Sequence, residues 1–244
     1  MVKRITEYTL YLLAKSKIFW LEFALINGIT VYMLFLQNDL YFPGVAKALM
    51  LKVVFQFIGL LVPVFIIGIF AEALIQMFLI EERLKWRFEY LMANRLFIKP
   101  IWIGTSLGFS IAGLFTLFSV YGVLSLGIYI RNGSIPFVKN LLILWLAVFP
   151  LLLVSLLFFL SALGFVVRRA KLFETIIMAF LFLFFFGGVY LFKHILLQSN
   201  VVSGVIITPH ILLVFVLVAV LFAIITLVTA KLLTPDNVTL SVPD

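Results

Sequence analysis

Few side chains in this sequence could do chemistry, and they are unevenly spread. There are ten carboxylates, two histidines and no cysteine. Thiol chemistry and disulfides are therefore excluded, and with them any reading of the redox compartment. No His-Glu-x-x-His motif occurs. His194 and His210 could bind a metal if paired in space, but they read as interfacial histidines on the outer side, with no metal site expected. A phosphate-cradling loop needs Gly-x-x-x-x-Gly-Lys-Ser/Thr, and no Gly-Lys pair occurs. No catalytic set emerges, and the chain is expected to have no nucleotide site and no enzymatic activity of its own. Two carboxylates, Glu22 and Glu72, fall inside long apolar runs. Burying such a group unpaired is costly, which makes both candidates for lining a path through a membrane. Each has a local alternative as well. Glu22 is within reach of Lys15 or Lys17, and Glu72 could be a protonated or paired group near the end of its run.

A second concentration of chemistry is "EERLKWRFEYLMANRLFIKP", residues 81–100. It holds three of the ten acidic and five of the eighteen basic residues. On a helix, Leu84, Phe88, Leu91 and Met92 line up as one apolar stripe, with Trp86, Tyr90 and Ala93 roughly opposite. Glu81, Lys85 and Glu89 follow at i, i+4 and i+8, a charge ladder that supports a helix in water. Two apolar faces suit a short helix held between its own bundle and a second protein. The competing reading is a hairpin on the membrane surface with Trp86 and Tyr90 as interfacial aromatics.

The elements that must position these residues follow from composition. The chain is 65% hydrophobic and 11% charged, with a mean hydropathy of +1.29 and 28 phenylalanines. Soluble domains are about half apolar and a quarter charged, so this is an all-α integral membrane protein. Its continuous apolar runs rule out a β-barrel, whose strands alternate. Six stretches are long enough to span, at about 18–36, 48–78, 101–126, 141–166, 174–196 and 211–232. They form one transmembrane domain over residues 1–244. The basic N-terminus has no short apolar core followed by a cleavage site, and reads as retained.

Net charge is +8, and its distribution gives the orientation. Thirteen of the eighteen Lys and Arg residues fall on the side of the N-terminus and of residues 81–100, and five on the other. By the positive-inside rule both termini are expected in the cytoplasm, in a cell (plasma or inner) membrane. Membrane lipids are the partners such charge implies, and no nucleic acid is expected.

Local signals refine this picture. Residues 3–16 read as an amphipathic helix in the interface plane, with Ile5, Tyr8 and Leu12 on one face and Lys3, Glu7 and Ala14 opposite. A simple polar leader is the plainer reading. "GTSLG" (104–108) spaces two glycines by one turn, which permits close helix packing. Pro63 and Pro150 should bend the second and fourth spans. "NGS" at 132–134 has the form of a glycosylation acceptor. "KHILLQSNVVSGVIITPH", between spans five and six, is too polar for a deep span and too apolar for an ordinary loop.

From Glu82 on, "ERLKWRFEYLMANRL" resembles the cytoplasmic loop between spans two and three of type-2 ATP-binding-cassette (ABC) exporter permeases. Their loose pattern reads Glu-Arg-x-x-Gly-Thr-Leu-Glu-x-Leu-Leu-Ala-Thr-Pro. Glu82, Arg83, Glu89, Leu91 and Ala93 match it, and Phe88 and Met92 match in kind. Trp86 and Arg87 replace the glycine and threonine, and Asn94-Arg95 replaces Thr-Pro. The short basic connection "FLSALGFVVRRAKLFE" (159–174) is similar to the family's link between spans four and five. "GGVYLFKHILLQSNVVSGVIITPHILL" resembles its region of broken, re-entrant helices before span six.

The resemblance implies an N-terminal elbow helix at 3–16 and a coupling helix at about 81–95. That helix would dock on a separate ABC ATPase subunit through Glu82, Arg83, Trp86, Arg87, Phe88, Glu89 and Tyr90. It also implies a second permease copy or a homologous permease, with ATP and Mg held by the ATPase partner and no cofactor in this chain. The cargo would be amphiphilic: a drug, peptide or lipid-like molecule. The alternative is a membrane protein with no ATPase partner, such as an immunity or lipid-scaffolding protein.

Overall fold

The computed structural model describes residues 1–36, 55–56, 58–60, 63, 98–135, 138–166 and 208–233. Among them the secondary structure is all helical, with no strand. α1 runs Val2–Lys15 and stops at Ser16, whose extended backbone (φ −73°, ψ 120°) breaks the helix. The Ser16 hydroxyl then accepts from the Phe19 N–H at 3.3 Å, capping the next helix, α2 (Lys17–Leu36). α3 spans Ile98–Asn132. It closes on Gly133, at φ 70°, whose N–H donates to the Tyr129 carbonyl at 2.8 Å. Such a left-handed residue satisfies a terminal carbonyl, and glycine adopts it without a side-chain penalty.

α4 (Lys139–Ile143) leads without a break into a π-helical stretch, Leu144–Val148, and then α5 (Phe149–Val166). The bend expected at Pro150 thus takes the form of a widened turn immediately before it. Proline has no N–H for the carbonyl four residues back, and its ring crowds that carbonyl. α6 (Pro209–Leu232) starts with Thr208 as cap and Pro209 in the first turn, where the missing N–H costs nothing.

Three helical stretches are long and apolar enough to cross a membrane: Ile98–Ile130, Lys139–Leu163 and Pro209–Lys231. They coincide with the spans expected at 101–126, 141–166 and 211–232. The first expected span is helical as α2, with a shorter apolar stretch at Phe19–Tyr32. The fifth expected span, the broken helices before the sixth, the coupling helix at 81–95 and all but a few residues of the second lie outside the described residues.

Side-chain pairs give the helix directions. Phe23 stacks on Phe115 at 5.5 Å, and one turn further along both helices Ser119 bonds Asn27, so α2 and α3 run parallel. Trp102 meets Phe158, and Tyr121 meets Trp145, so α3 and the α4–α5 rod run antiparallel. Phe149 packs on Phe215, and further along both helices Phe159 packs on Phe222, so α5 and α6 run parallel. The chain therefore leaves α2 at one end of the bundle and joins α3 at the other, and does the same between α5 and α6.

The α3–α5 pair is the centre, with Phe109, Leu117, Phe149, Leu153 and Leu157 fully buried. Burial falls from 56% in Lys139–Leu163 and 44% in Ile98–Ile130 to 17% in Pro209–Lys231. α6 shows solvent a broad face of Leu213, Leu217, Leu221, Ile224 and Leu227. Lipid is as apolar as leucine, so such a face is compatible with a bilayer and does not itself drive helix association. Close packing and buried polar contacts must hold the bundle instead.

Candidate functional site

Among the described residues, the Thr226 hydroxyl of α6 donates to the Ser155 carbonyl of α5 at 2.9 Å, and the other buried polar contacts between helices lie in three places along α3. The first is the track shared with α2. On α2, Phe19, Ile26 and Thr30 are buried and fall on one stripe. Glu22 lies on that stripe, one turn from Phe19 and one from Ile26, and is half-buried. The sequence candidate thus sits on the inward side of its helix. Beside it the Asn27 amide donates to the Phe23 carbonyl at 2.8 Å, and the Ser119 hydroxyl donates to Asn27 Oδ1 at 3.3 Å. Thr30 and Thr116 donate to the carbonyls one turn back on their own helices. Back-bonding of this kind satisfies hydroxyls that hydrocarbon could not.

The second place is the end of α3 carrying "GTSLG". Ile5 and Thr9 of α1 press into the two glycines: a Cβ on Gly104 would lie 2.7 Å from that of Ile5, and one on Gly108 would lie 2.7 Å from that of Thr9. The Thr6 hydroxyl donates to the Gly104 carbonyl at 3.1 Å. On the opposite face of the same turn, Ser106 hydrogen-bonds Ser161 of α5. The Trp102 indole N–H donates to the Phe158 carbonyl at 3.1 Å, and its ring meets Phe158 edge-on. The glycine spacing did indicate close packing, and the partner is the N-terminal helix. Ile5 and Leu12 of the expected apolar face pack inward, and Lys3, Glu7 and Ala14 are exposed opposite; Tyr8 is the exception. Thr9 and Leu13 are its buried residues, while Tyr8 is exposed. The notch selects residues small enough to enter it, and a tyrosine ring is too large. Lys15 covers the exposed Tyr11 ring at 4.4 Å, and Lys3 pairs with Glu7 at 3.9 Å.

The third place lies at the other end of α3. Tyr121 and Trp145 stack with ring centroids 4.4 Å apart and planes 6° from parallel. The Trp145 N–H donates to the Gly59 carbonyl at 2.8 Å, and Phe55 meets the indole edge-on. A Cβ on Gly59 would lie 2.8 Å from the indole and 3.1 Å from Leu141. Tyr121 is 6% exposed, and its buried hydroxyl has no hydrogen-bond partner among the described residues. Sequence reasoning missed this cluster. Its only signal was a tryptophan five residues before Pro150, and nothing in the sequence says which glycine the indole would meet.

Of the residues singled out from sequence, Glu22 is thus placed. Glu72 and the set Glu82, Arg83, Trp86, Arg87, Phe88, Glu89 and Tyr90 lie outside the described residues, as does His194. His210 is exposed in the first turn of α6. Among the described residues no three His, Cys, Asp or Glu side chains gather as a metal site would require. What the described polar groups offer is hydrogen bonding within an apolar bundle. Comparison of the chain with protein-family models, curated proteins and solved structures finds no match.

Proposed function

We propose that this chain is the membrane-spanning subunit of an ATP-driven ABC exporter, working with a separate ATPase subunit and a second permease. The observation that carries the reading is the stretch "ERLKWRFEYLMANRL", with its match to the coupling loop of type-2 exporter permeases. Its charge and two apolar faces suit a helix docked on another protein. The helix directions support the reading. α2 and α3 are parallel with the apolar run 48–78 between them in sequence, and α5 and α6 are parallel with 174–196 between them. One further crossing in each interval gives six spans with both termini on one side. The inward placement of half-buried Glu22 and the neighbouring Asn27 and Ser119 supports a polar track beside the first span. ATP would close the ATPase dimer, and residues 81–95 would pass that motion to the spans. The cargo class proposed is amphiphilic.

The test is capture of the partner ATPase and its ATP turnover in nanodiscs. Interface anchors are typically aromatic residues or arginines, and truncating one costs about 2 kcal/mol or more. Trp86→Ala and Phe88→Ala should therefore weaken capture roughly thirtyfold while the permease still inserts. Glu82→Lys and Glu89→Lys should weaken it in a salt-dependent way, because rim charges are screened. Normal capture and turnover in all four would return residues 81–95 to a membrane-surface hairpin and favour a protein without an ATPase. Topology is tested separately, on a chain with no native cysteine. Cysteines at Asn38, Asn132 and Ser199 should label from outside, and those at Ala93 and Ala170 only after permeabilisation.

A further inference from the structure

We infer that Leu144–Val148 is a hinge, latched in this state by Trp145, that lets the Lys139–Ile143 end of the rod swing against α3. The inference does not depend on the exporter reading. Three independent features meet at this point.

The first is the backbone. The Phe149 N–H donates to the Leu144 carbonyl, five residues back, so this turn holds one residue more than an α-turn. Such widened turns are rare, and they are frequent at functional sites. Pro150 maintains the wide turn from one side by withholding its N–H. On the other side only the five residues of α4 continue the helix before Val138, which is extended (φ −129°, ψ 102°). Moving the wide turn to that free end would rotate α4 by roughly 100°, the angle of one residue in an α-helix. Leu141 would then leave its position against Gly59.

The second is the latch. Trp145 lies inside the widened turn and is held three ways: by its N–H on the Gly59 carbonyl, by its stack on Tyr121 and by the edge of Phe55. The close fit needs the bare Gly59, where a Cβ would strike the indole. Leu146, in the same turn, is 68% exposed, so one side chain grips the bundle while its neighbour stands clear of it.

The third is the cost of the latched state. The Tyr121 hydroxyl is buried beside the indole without a partner among the described residues. An unmet polar group in an apolar interior raises the free energy of the state that buries it. Unlatching uncovers Tyr121 and lets water reach the hydroxyl. The gap between the two states is thereby narrowed, as a switch requires.

The experiment is hydrogen–deuterium exchange of the full chain in nanodiscs, comparing amides 139–148 with amides 151–162. Wild-type protein should exchange faster in the first segment, because opening there is local. Trp145→Phe keeps a ring and removes the N–H; it should speed 139–148 by roughly two- to tenfold, the worth of one net hydrogen bond. Exchange in 151–162 should not change. Pro150→Ala lets an α-turn re-form and should slow 139–148. Tyr121→Phe removes only the unmet hydroxyl and should slow it too, and it carries the test if Trp145→Phe fails to insert. Equal protection of the two segments in wild type would overturn the hinge. So would a Trp145→Phe effect spread evenly over both, or exchange in 139–148 that Tyr121→Phe leaves unchanged or speeds.

Discussion

The two ends of the α3–α5 pair are built by opposite rules. At the Gly104–Gly108 end every glycine notch is filled, by Ile5 and Thr9, and the hydroxyls of Thr6, Ser106 and Ser161 all have partners. Backbones approach closely there, which is how helices associate where lipid offers no hydrophobic drive. At the Tyr121–Trp145 end the contact is made by large rings, the rod carries a widened turn, and a buried hydroxyl is unmet among the described residues. The same helix, α3, serves both. One end is closed by backbone approach and met hydroxyls, the other by stacked rings and an indole hydrogen bond.

Substitutions that fill or empty these contacts can break the contrast. The largest effect is expected for Gly108→Leu. Its Cβ alone would lie 2.7 Å from the Thr9 Cβ, so α1 must separate from α3. Overpacking of this severity costs about 3 kcal/mol, read as a lower midpoint in denaturation by sodium dodecyl sulfate. Gly28→Leu and Gly122→Leu are the controls, since no atom lies within 4 Å of a Cβ at either position. Both should stay within about 0.5 kcal/mol of wild type, as surface changes usually do. Equal losses at all four-carbon substitutions would mean that α1 is not seated on α3.

Gly59→Ala comes next. The added methyl meets the rim of the Trp145 ring, which the widened turn can release, so about 1–2 kcal/mol is expected. The indole should also move, shifting the tryptophan fluorescence, whereas Gly108→Leu should not shift it through Trp145. A smaller loss, about 0.6 kcal/mol, is expected for Ser106→Ala, typical of a hydrogen bond between membrane helices. Adding Ser161→Ala should cost little more, since the pair shares one bond, and a double-mutant cycle measures this. Smallest is Tyr121→Phe, which should leave stability unchanged or raised, because the oxygen it deletes makes no bond to the described residues. A loss above about 1 kcal/mol would show that the hydroxyl is partnered in the membrane and would remove the contrast between the ends.

How far the sequence could be read differs from element to element. α3, α5 and α6 were legible from hydropathy and length, whereas the helix ends at Ser16, Thr208 and Gly133 were seen only in the structure. The glycine pair at 104 and 108 announced a close approach without naming its partner. On α1 the apolar face was legible at Ile5 and Leu12, but apolar periodicity favours Tyr8 over Thr9, and it is Thr9 that is buried. The notch reverses that order by size. Pro150 announced a distortion, yet only the structure gives it as a π-turn with Trp145 inside.

The division has a physical cause. In a bilayer each helix satisfies its own backbone, so local sequence and apolar length determine that α2, α3, α5 and α6 form and roughly where they end. Those same features determine that Glu22 lies within a helix and that the chain has few groups able to react. Which faces meet is a different matter. Lipid and protein interior are alike to an apolar side chain, and hydropathy therefore cannot rank one face of a leucine-rich helix above another. Shape and single hydrogen bonds decide, between residues as far apart in sequence as Thr6 and Gly104, or Gly59 and Trp145. Only the tertiary structure could bring those pairs together.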